Sequence, residues 1–450
     1  MKRRTFIRKS SAGISFTLMA PGIWSCTKKP SKKKPLRFET YTGGPTLVPV
    51  TKVTPDDGFY VHTYYDVCPF SPSEKYLVVS KLPYEDQPPQ YGDTADVCVI
   101  DLENHLIETV YTTKCWAHQT GTMAQWGASD DLIYTNDVID GKGVCVEINL
   151  QSNEIRAFEG PMYHVSPDGK SVVGFPLDLY DITQRGYGLV AKNYDSPPAL
   201  PMGASETEGL WKTDTSTGKT SLLVSIKDVV DHIPEAPPRA DGTYYFWHSK
   251  FNLQSDRIML VQRCLFPDGS GGRNVNVFTF DLEGKDIIRT QSEPVWGHGG
   301  GHPNWHPDGK HLLRNLKPDG KNERLCKVPI DGSEPIVLSE TIDGGGHPTI
   351  EPSEKYIVTD IKYHDPDPVV RIRLINLVDQ SEEAICKMPT KPLYREKGDT
   401  AELRLDGHPA WDRKFRKVCF QAAPKGHRQL FIADLSNFPE SYVFHVWNLR

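Results

Sequence analysis

The chain has 450 residues and a formal net charge of −6, with 52 lysines and arginines against 58 aspartates and glutamates. This mildly acidic balance argues against a nucleic-acid-binding protein, which usually carries a basic stripe. The 36 glycines, 36 prolines and 10% aromatic residues follow no compositional period, so they exclude a collagen-like or disordered chain and favour many short strands joined by turns.

The first 25 residues have the features of an export signal. The adjacent arginines Arg3 and Arg4 lie in a basic segment, and an apolar run over residues 13–19 follows them. This arrangement resembles a twin-arginine signal, which a receptor reads and which is then removed. The run leads to Cys26, whose context resembles a bacterial lipobox. We therefore expect lipidation of Cys26 and a periplasmic or outer-membrane lipoprotein; a plain cleaved signal with an incidental cysteine is the alternative.

Residues 26–37 form a basic tether that we expect to be disordered. Loss of residues 1–25, which hold five basic and no acidic side chains, would change the formal charge from −6 to −11. Eight cysteines remain after Cys26, most of them in apolar, strand-like runs, and no pair has CxxC spacing. Buried free thiols are therefore expected rather than a disulfide framework. These cysteines are Cys68, Cys98, Cys115, Cys145, Cys264, Cys326, Cys386 and Cys419.

A turn motif with an aromatic or aliphatic residue before it and an apolar strand after it recurs seven times in residues 38–450. The copies begin at Phe70, Trp126, Val165, Leu253, Trp305, Ile350 and Trp411. Each has a downstream partner strand: Val97–Leu102, Val144–Leu150, Gly209–Asp214, Val277–Leu282, Leu325–Ile330, Ile372–Leu377 and Leu430–Leu435. No helical periodicity separates the units. Repeats of about 59 residues predict an all-β fold, a single seven-bladed β-propeller, whereas a β-solenoid would need shorter and more uniform repeats.

Two of the repeat spacings are long. The stretch between Val165 and Leu253 and the stretch between Ile350 and Trp411 contain insertions rich in proline and charged residues. Such loops usually form one rim of a propeller, where ligands enter. Surface decoration without a function is the alternative.

Three histidines occur at the same position of three repeats. His302, His347 and His408 each precede the repeat position by three residues, in blades five, six and seven. Equivalent positions on innermost strands converge on the propeller axis, where neutral imidazoles can bind a divalent metal ion. His248 is a candidate fourth ligand although its register is shifted, and Cys264 is a softer candidate. The alternative is a His-Pro strand-entry motif whose ring caps a backbone carbonyl.

A second set of candidates lies in blades two to four. His118 precedes blade two, Arg185 and Tyr187 follow blade three, and Arg263 ends a strand of blade four. A neutral histidine or a tyrosine phenolate can take a proton α to a carboxylate, while an arginine or a metal ion neutralises that carboxylate. We therefore predict these four as catalytic. Packing and ion pairing in a glycine-flanked turn is the alternative.

The sequence excludes a serine hydrolase and a phosphate-loop enzyme. No Gly-x-Ser-x-Gly motif is present, and no phosphate-binding Gly-x-x-x-x-Gly-Lys-Ser/Thr loop. Paired carboxylates for glycoside hydrolysis remain possible, since the acidic residues are spread through the turns.

Three motifs together resemble those of the seven-bladed propeller polysaccharide lyases, which include oligogalacturonate lyases and ulvan lyases. They are Trp116-Ala-His118-Gln119-Thr-Gly121, Arg185-Gly-Tyr187-Gly188 and the Gly-His-Pro runs before the later blades. The resemblance extends from Phe38 to Asn437 and implies β-elimination beside a uronic acid, with a divalent metal ion, Zn or Mn, held by histidines. For an ulvan lyase it assigns His118, Tyr187 and Arg185 to catalysis. The second histidine of that pattern is absent here, and Asn136 is the nearest polar residue. Oligogalacturonate lyases hold their metal with three histidines and a glutamine, a count that His302, His347 and His408 fit and His248 does not.

The leading hypothesis is a lyase of an anionic uronate-containing poly- or oligosaccharide. Because the protein is itself acidic, such a site needs local positive charge from the metal and from Arg185, Arg263 and Lys250. We expect a monomer that contacts the membrane only through its lipid anchor. A non-catalytic binding propeller of the cell envelope and a glycoside hydrolase of the same sugars are the alternatives.

Overall fold

The computed structural model describes residues 24–27, 32–184, 186–190, 192–193, 201–233, 239–267, 274–291, 300–363, 368–391 and 403–438. These residues form seven antiparallel sheets that succeed one another along the chain. The predicted seven-bladed β-propeller is confirmed. Two short helices accompany the sheets, α1 (Leu177–Thr183) and α2 (Ile226–Val230). None of the helices in the described ranges has the length and apolarity needed to cross a membrane.

The strands of each blade are given from the propeller axis outward. Blade I contains β5 (Phe59–Val61), β6 (Tyr76–Leu82), β7 (Ala95–Asp101), β8 (Leu106–Thr113) and β2 (Lys34–Pro35). Blade II contains β9 (Gln125–Trp126), β10 (Leu132–Ile139), β11 (Lys142–Asn149), β12 (Glu154–Ala157) and β1 (Trp24–Thr27). Blade III contains β13 (His164–Val165), β14 (Ser171–Gly174), β15 (Gly209–Asp214) and β16 (Thr220–Ser225). Blade IV contains β17 (Thr243–Phe251), β18 (Arg257–Leu265), β19 (Asn274–Asp281) and β20 (Ile288–Gln291).

The remaining three blades follow the same plan. Blade V contains β21 (Gly300–Trp305), β22 (His311–Leu316), β23 (Arg324–Pro329) and β24 (Ile336–Val337). Blade VI contains β25 (Thr349–Ile350), β26 (Tyr356–Tyr363), β27 (Val369–Asn376) and β28 (Ser381–Pro389). Blade VII contains β29 (Ala410–Trp411), β30 (Lys417–Ala422), β31 (Gln429–Asp434), β4 (Val50–Lys52) and β3 (Glu39–Thr40). All seven predicted partner strands are present, as the third strand of each blade counted from the axis outward.

One spacing recurs in every blade. In blades II to VII the residue that ends the innermost strand pairs with the residue seven positions later, as in Trp305 with Leu312 and Trp411 with Val418. In blade I the same spacing joins Phe70 and Leu77 in an isolated bridge that follows β5. Five of the predicted repeat positions therefore end innermost strands, and Phe70 forms the bridge of blade I. In blade IV, however, the strand ends at Phe251, which pairs with Ile258. The prediction of Leu253 was therefore wrong, because Leu253 is an apolar residue in the exposed turn, with 45% of its surface accessible.

An N-terminal segment closes the ring. Strand β4 pairs with β31 of blade VII, and β3 pairs with β4, so the blade combines segments from both ends of the chain. Val48 and Val50 contribute to the apolar core shared by blades VI and VII. This closure leaves no gap between the first and the last blade.

The segment before the propeller also pairs with it. Backbone of β1, including Cys26, pairs with β12, and Lys34–Pro35 of the predicted disordered tether pairs with β8. The eight later cysteines are free, as predicted; seven are buried and Cys68 is half-buried.

Candidate metal centre and active site

Four histidines occupy the same register position of blades IV to VII. His248, His302, His347 and His408 each precede the end of an innermost strand by three residues, once Phe251 is taken as the repeat position of blade IV. The predicted register shift of His248 was therefore wrong. Blades I, II and III have Val67, Met123 and Met162 at this position. The imidazoles consequently lie on one side of the axis and apolar side chains on the other.

A local break from regular strand geometry changes the direction of these histidine side chains. In blade IV the register shifts between Trp247 and Lys250, and His248 has a φ of 49°. His302 and His408 have φ values of 52° and 44°. Positive φ at a non-glycine residue is uncommon, and such bulges redirect a side chain out of the regular pleat. This backbone conformation therefore turns the three imidazoles out of the regular pleat, at the position that recurs from blade to blade.

Three of the four histidines are close neighbours. The ring centroids of His302 and His347 are 4.1 Å apart, and those of His347 and His408 are 4.4 Å apart. Asp406, a residue that the sequence did not single out, joins them: the candidate ligand atoms of His347, His408 and Asp406 lie within 4.8 Å of one another. A mixed nitrogen and carboxylate set of this kind suits a divalent metal ion. We call His302, His347, His408 and Asp406 the axial cluster.

His248 is set apart from the axial cluster. Its ring stacks on Tyr64, with centroids 5.5 Å apart, and its Nδ1 lies 2.5 Å from the hydroxyl oxygen of Tyr163. Tyr64 in turn lies 4.5 Å, centroid to centroid, from His408. The tyrosine ring therefore stands between His248 and the other imidazoles, and the structure does not group His248 with the ligand atoms.

Asp360 orients two members of the cluster. Its Oδ1 accepts hydrogen bonds from the backbone N–H of His347 (2.9 Å) and from His347 Nδ1 (2.8 Å). Its Oδ2 accepts from the N–H groups of Gly407 (2.8 Å) and His408 (3.2 Å). Burial raises the pKa of this carboxyl, but the neighbouring His347 outweighs it and lowers the pKa, so Asp360 is ionised. This fixes the proton of His347 on Nδ1 and leaves Nε2 as a lone-pair donor.

His408 is held by Gln421. The Gln421 side-chain amide lies 3.0 Å from His408 Nδ1, while Gln421 Oε1 is buried without a hydrogen-bond partner. Amide orientation is assigned from the hydrogen-bond network, and with the amide rotated Oε1 accepts a hydrogen bond from His408 Nδ1–H. The lone pair of His408 is then on Nε2. The Nε2 atoms of His347 and His408 are both buried and have no hydrogen-bond partner among the described residues. Two unpaired nitrogens that face one carboxylate fit a metal ion.

Electrostatics also favours neutral, ligating imidazoles. Burial lowers the pKa of His302 and His408 well below the usual value. Asp406 remains ionised: burial raises its pKa, but the charges of Lys362 and Arg404 hold it well below the usual range. Arg404 Nε donates to Asp406 Oδ2 at 2.9 Å, and Lys362 pairs with the other oxygen.

Tyr187 is beside the cluster and has an arginine partner. Arg404 Nη2 donates a hydrogen bond to the Tyr187 hydroxyl, and the Tyr187 ring lies 6.0 Å from that of Tyr64 and 4.8 Å from that of Trp247. Burial raises the pKa of Tyr187, so the phenol is protonated. Arg404 was missed because it lies in a long connection between blades. The predicted Arg185 lies outside the described residues.

Arg263 and Lys250 both have partners in the structure. The guanidinium carbon of Arg263 lies 4.5 Å from the ring centre of Trp247, so this residue borders the site through that indole. Lys250 pairs with Asp66, and both side chains are 2% exposed; its Nζ also donates to the carbonyl of Pro303 at 2.8 Å. The expectation of a local field from Lys250 was wrong, because Asp66 cancels its charge.

His118 contacts a different set of residues. Its ring lies 5.2 Å from that of Trp116 and 6.4 Å from that of Tyr84. Burial, reinforced by the charge of Arg428, lowers its pKa to about 3, so it is neutral. The structure therefore places His118 against Trp116 and Tyr84 and not against Tyr187.

The residues after His118 do reach the site. The side-chain amide of Gln119 donates to the carbonyl of Arg404 at 2.6 Å, and Thr120 Oγ1 donates to the carbonyl of Tyr187 at 3.2 Å. This segment thus ties together the two backbone stretches that carry Tyr187 and Arg404.

The two remaining sequence candidates are structural. Asn136 brackets the backbone of Met162, with its amide nitrogen 2.7 Å from the carbonyl and its amide oxygen 2.9 Å from the N–H. Burial raises the pKa of Cys264 to about 11, and among the described residues its sulfur does not group with other candidate ligand atoms.

Comparison with known proteins identifies the architecture. No family model matches the sequence, and no curated protein matches it. Oligogalacturonate lyase from Vibrio parahaemolyticus superimposes with a TM-score of 0.64 at 16% identity, over 92% of this chain and 100% of that one. An oligogalacturonate lyase in complex with manganese gives the same TM-score and identity, over 92% of this chain and 99% of that one. The chain has the fold of oligogalacturonate lyase. The predicted resemblance to propeller lyases is thereby confirmed at the level of the fold.

Proposed function

We propose that this protein is a metal-dependent polysaccharide lyase that cleaves a uronate-containing poly- or oligosaccharide by β-elimination. The observation that carries the proposal is the pairing of two unpartnered, buried imidazole nitrogens with the Asp406 carboxylate, directly beside a tyrosine–arginine pair. The fold shared with an oligogalacturonate lyase that binds manganese supports it.

His347, His408 and Asp406 would hold the metal ion, with His302 adjacent to His347 as a further donor. Imidazole and carboxylate donors accept manganese or zinc, the two metals expected from the sequence. When bound, the metal supplies positive charge to the uronate carboxylate, which acidifies the C5 proton. Arg404 stabilises negative charge at Tyr187, and the enclosure by Tyr64 and Trp247 excludes water from the reacting atoms.

β-Elimination breaks the C5–H and C4–O bonds of the substrate. A base takes the C5 proton, the C5–H electron pair forms the C4=C5 double bond, and the C4–O bond breaks toward the leaving sugar. The leaving oxygen receives a proton. The products are a saturated sugar end and an unsaturated uronate, with no water consumed.

A substrate screen tests the proposal. Purified protein loaded with Mn²⁺ or Zn²⁺ is incubated with polygalacturonate, oligogalacturonides and ulvan, and the ultraviolet absorbance of the conjugated double bond is followed. We expect an increase with at least one uronate substrate and its loss after chelation. New reducing ends without absorbance would identify a hydrolase, and binding without any product a non-catalytic module.

Cellular placement has its own test. We propose that the protein is exported and anchored through Cys26, which would expose it to incoming polysaccharide fragments. Radiolabelled palmitate should label the wild type and not Cys26→Ser. Labelling of neither would indicate a plain cleaved signal.

A further inference from the structure

A second group of metal-ligating side chains lies in two turns at the junction of blades V and VI. His306 and Asp308 belong to the turn between β21 and β22, and Glu354 belongs to the turn between β25 and β26. Their candidate ligand atoms lie within 4.8 Å of one another. We call His306, Asp308 and Glu354 the junction cluster, which shares no member with the axial cluster.

The turn of blade V does not need the imidazole of His306. In blades III and IV the position after the innermost strand is Ser166 or Asn252, and each accepts a backbone N–H of its own turn at 3.0 Å. In blade V Asp308 caps the turn instead, because its Oδ1 accepts the N–H of Lys310 at 2.8 Å. The side chain of His306 therefore has another role.

The unused nitrogen of His306 is buried and faces Glu354. His306 is 1% exposed, and its Nε2 has no hydrogen-bond partner among the described residues. Glu354 Oε1 lies 3.6 Å from Nε2, which is too long for a hydrogen bond and close to the separation of two ligands on one metal ion. On the other side of the ring, Asp308 Oδ2 lies 3.1 Å from Nδ1 and holds the proton there, so the lone pair is on Nε2.

The junction cluster already attracts a cation. Lys327 of β23 places its Nζ 3.0 and 3.1 Å from the two oxygens of Glu354 and 3.3 Å from Asp308 Oδ2. Burial lowers the pKa of His306, so its ring adds no charge, and one ammonium leaves a negative charge on the two carboxylates. A divalent ion would neutralise both. The side chain of Glu354 is 45% exposed, and the flexible lysine can turn away to admit the ion.

We propose that the junction cluster binds Zn²⁺ or a similar divalent transition-metal ion between His306 Nε2 and the Glu354 carboxylate. The ion replaces the ammonium of Lys327, water molecules complete its coordination, and Asp308 fixes the tautomer of His306. Because the two ligands come from different blades, the ion joins blade V to blade VI, which carry two of the three axial histidines. The site is structural and does not depend on the proposed lyase activity.

Zinc stoichiometry tests the proposal in variants that lack one or both clusters. Each protein is stripped with a chelator, dialysed against Zn²⁺ and analysed for bound zinc. The wild type should hold two ions per chain, and the double variant His347→Ala/His408→Ala should hold one. Adding either Glu354→Gln or His306→Asn to the double variant should remove that ion; His306→Asn should fold, because asparagine occupies this position in blade IV. His232→Asn, which alters an exposed histidine after α2, is the matched control and should keep the ion.

Lys327→Met distinguishes a metal site from an ion-pair network. If the ammonium competes with the ion, its removal should tighten Zn²⁺ binding by about 10-fold in the His347→Ala/His408→Ala background, measured by calorimetric titration. In an ion-pair network the same change removes a partner of Glu354 and creates no affinity for zinc. Zn²⁺ should also raise the Tm of the double variant, and Glu354→Gln should abolish this increase.

Three outcomes would overturn the proposal. Absence of bound zinc from the double variant would reduce the cluster to ion pairs closed by Lys327. Zinc that persists with both Glu354→Gln and His306→Asn would lie outside the junction cluster. Lys327→Met with unchanged or weaker binding would exclude displacement of the ammonium. One ion in both the wild type and the double variant, lost with Glu354→Gln, would support the junction site and contradict the axial one, so the two metal assignments fail separately.

Discussion

Asp360 is the residue on which the orientation of the axial cluster depends. It fixes the tautomer of His347 and holds the backbone of His408 in place through four hydrogen bonds. We predict that Asp360→Asn weakens metal binding by about 10- to 100-fold, because an amide cannot serve all of these donors. Calorimetric titration with Mn²⁺ measures the change. Asp319→Asn, which alters an exposed turn carboxylate that accepts a hydrogen bond from Asn322 at 2.7 Å, is the control and should leave the affinity unchanged.

Asp412 should make stability depend on pH. Burial raises the pKa of this carboxyl to about 6, from a model-peptide value of 3.8. The folded state therefore favours the protonated form, whose contribution to stability is fully present below pH 4 and is lost as the pH rises through about 6. We expect Asp412→Asn to be more stable than the wild type by about 1–3 kcal/mol at pH 8 and equal to it near pH 4. Thermal melts at both pH values measure this; an equal difference at the two would contradict the prediction.

Sequence reasoning found the histidines of the site and missed their partners. Equal spacing from a repeat marks His302, His347 and His408, because register alone determines which way they face. Asp406 lies two residues before His408, so alternation along an extended chain could have indicated it. Arg404 and Tyr64 had no such signal. Their contacts to Tyr187 depend on how separate connections pack across the axis, which no local pattern encodes.

The left-handed backbone at or directly before each histidine of blades IV to VII is the local feature that places these side chains in the site. In blade VI the positive φ falls on Gly346 (66°), just before His347, and a Cβ there would overlap the carbonyl oxygen of Asp360. We predict that Gly346→Ala lowers the free energy of unfolding by about 1–3 kcal/mol and weakens metal binding, since the shift displaces Asp360. Gly301→Ala is the control, because a Cβ at Gly301 meets no atom within 4 Å. Chemical denaturation and metal titration of both variants check the prediction.

At the level of strands, the sequence predicted most of the positions that recur from blade to blade. The aromatic-turn-strand pattern located the ends of five innermost strands, the Phe70 bridge of blade I and all seven partner strands. It failed in blade IV because Leu253, an exposed apolar turn residue, imitates the residue that ends a strand. The two-residue error also hid the register of His248. Burial decides which apolar residue belongs to a strand, and burial is a tertiary property.

The whole ring depends on a segment far from its last blade in sequence. Removing residues 1–37 takes away only the edge strands β1 and β2, whereas removing residues 1–52 also takes β3 and β4. The longer truncation leaves the outer edge of β31 unpaired and deletes Val48 and Val50, which are 7% and 1% exposed. Each buried valine contributes roughly 1.5–3 kcal/mol, a large share of the 5–15 kcal/mol that typically stabilises a protein.

We therefore predict that the protein without residues 1–37 melts cooperatively and binds metal, while the protein without residues 1–52 does neither. The exposed edge of β31 should pair between molecules, so the longer truncation should also elute as oligomers or aggregates in size-exclusion chromatography. Circular dichroism melts and elemental analysis of both truncations measure the outcome. Because the axial cluster draws its members from blades V to VII, a ring open at blade VII cannot hold His408 opposite His302. A longer truncation that remained monomeric and still bound metal would show that the cluster needs only its own blades, and not the closed ring.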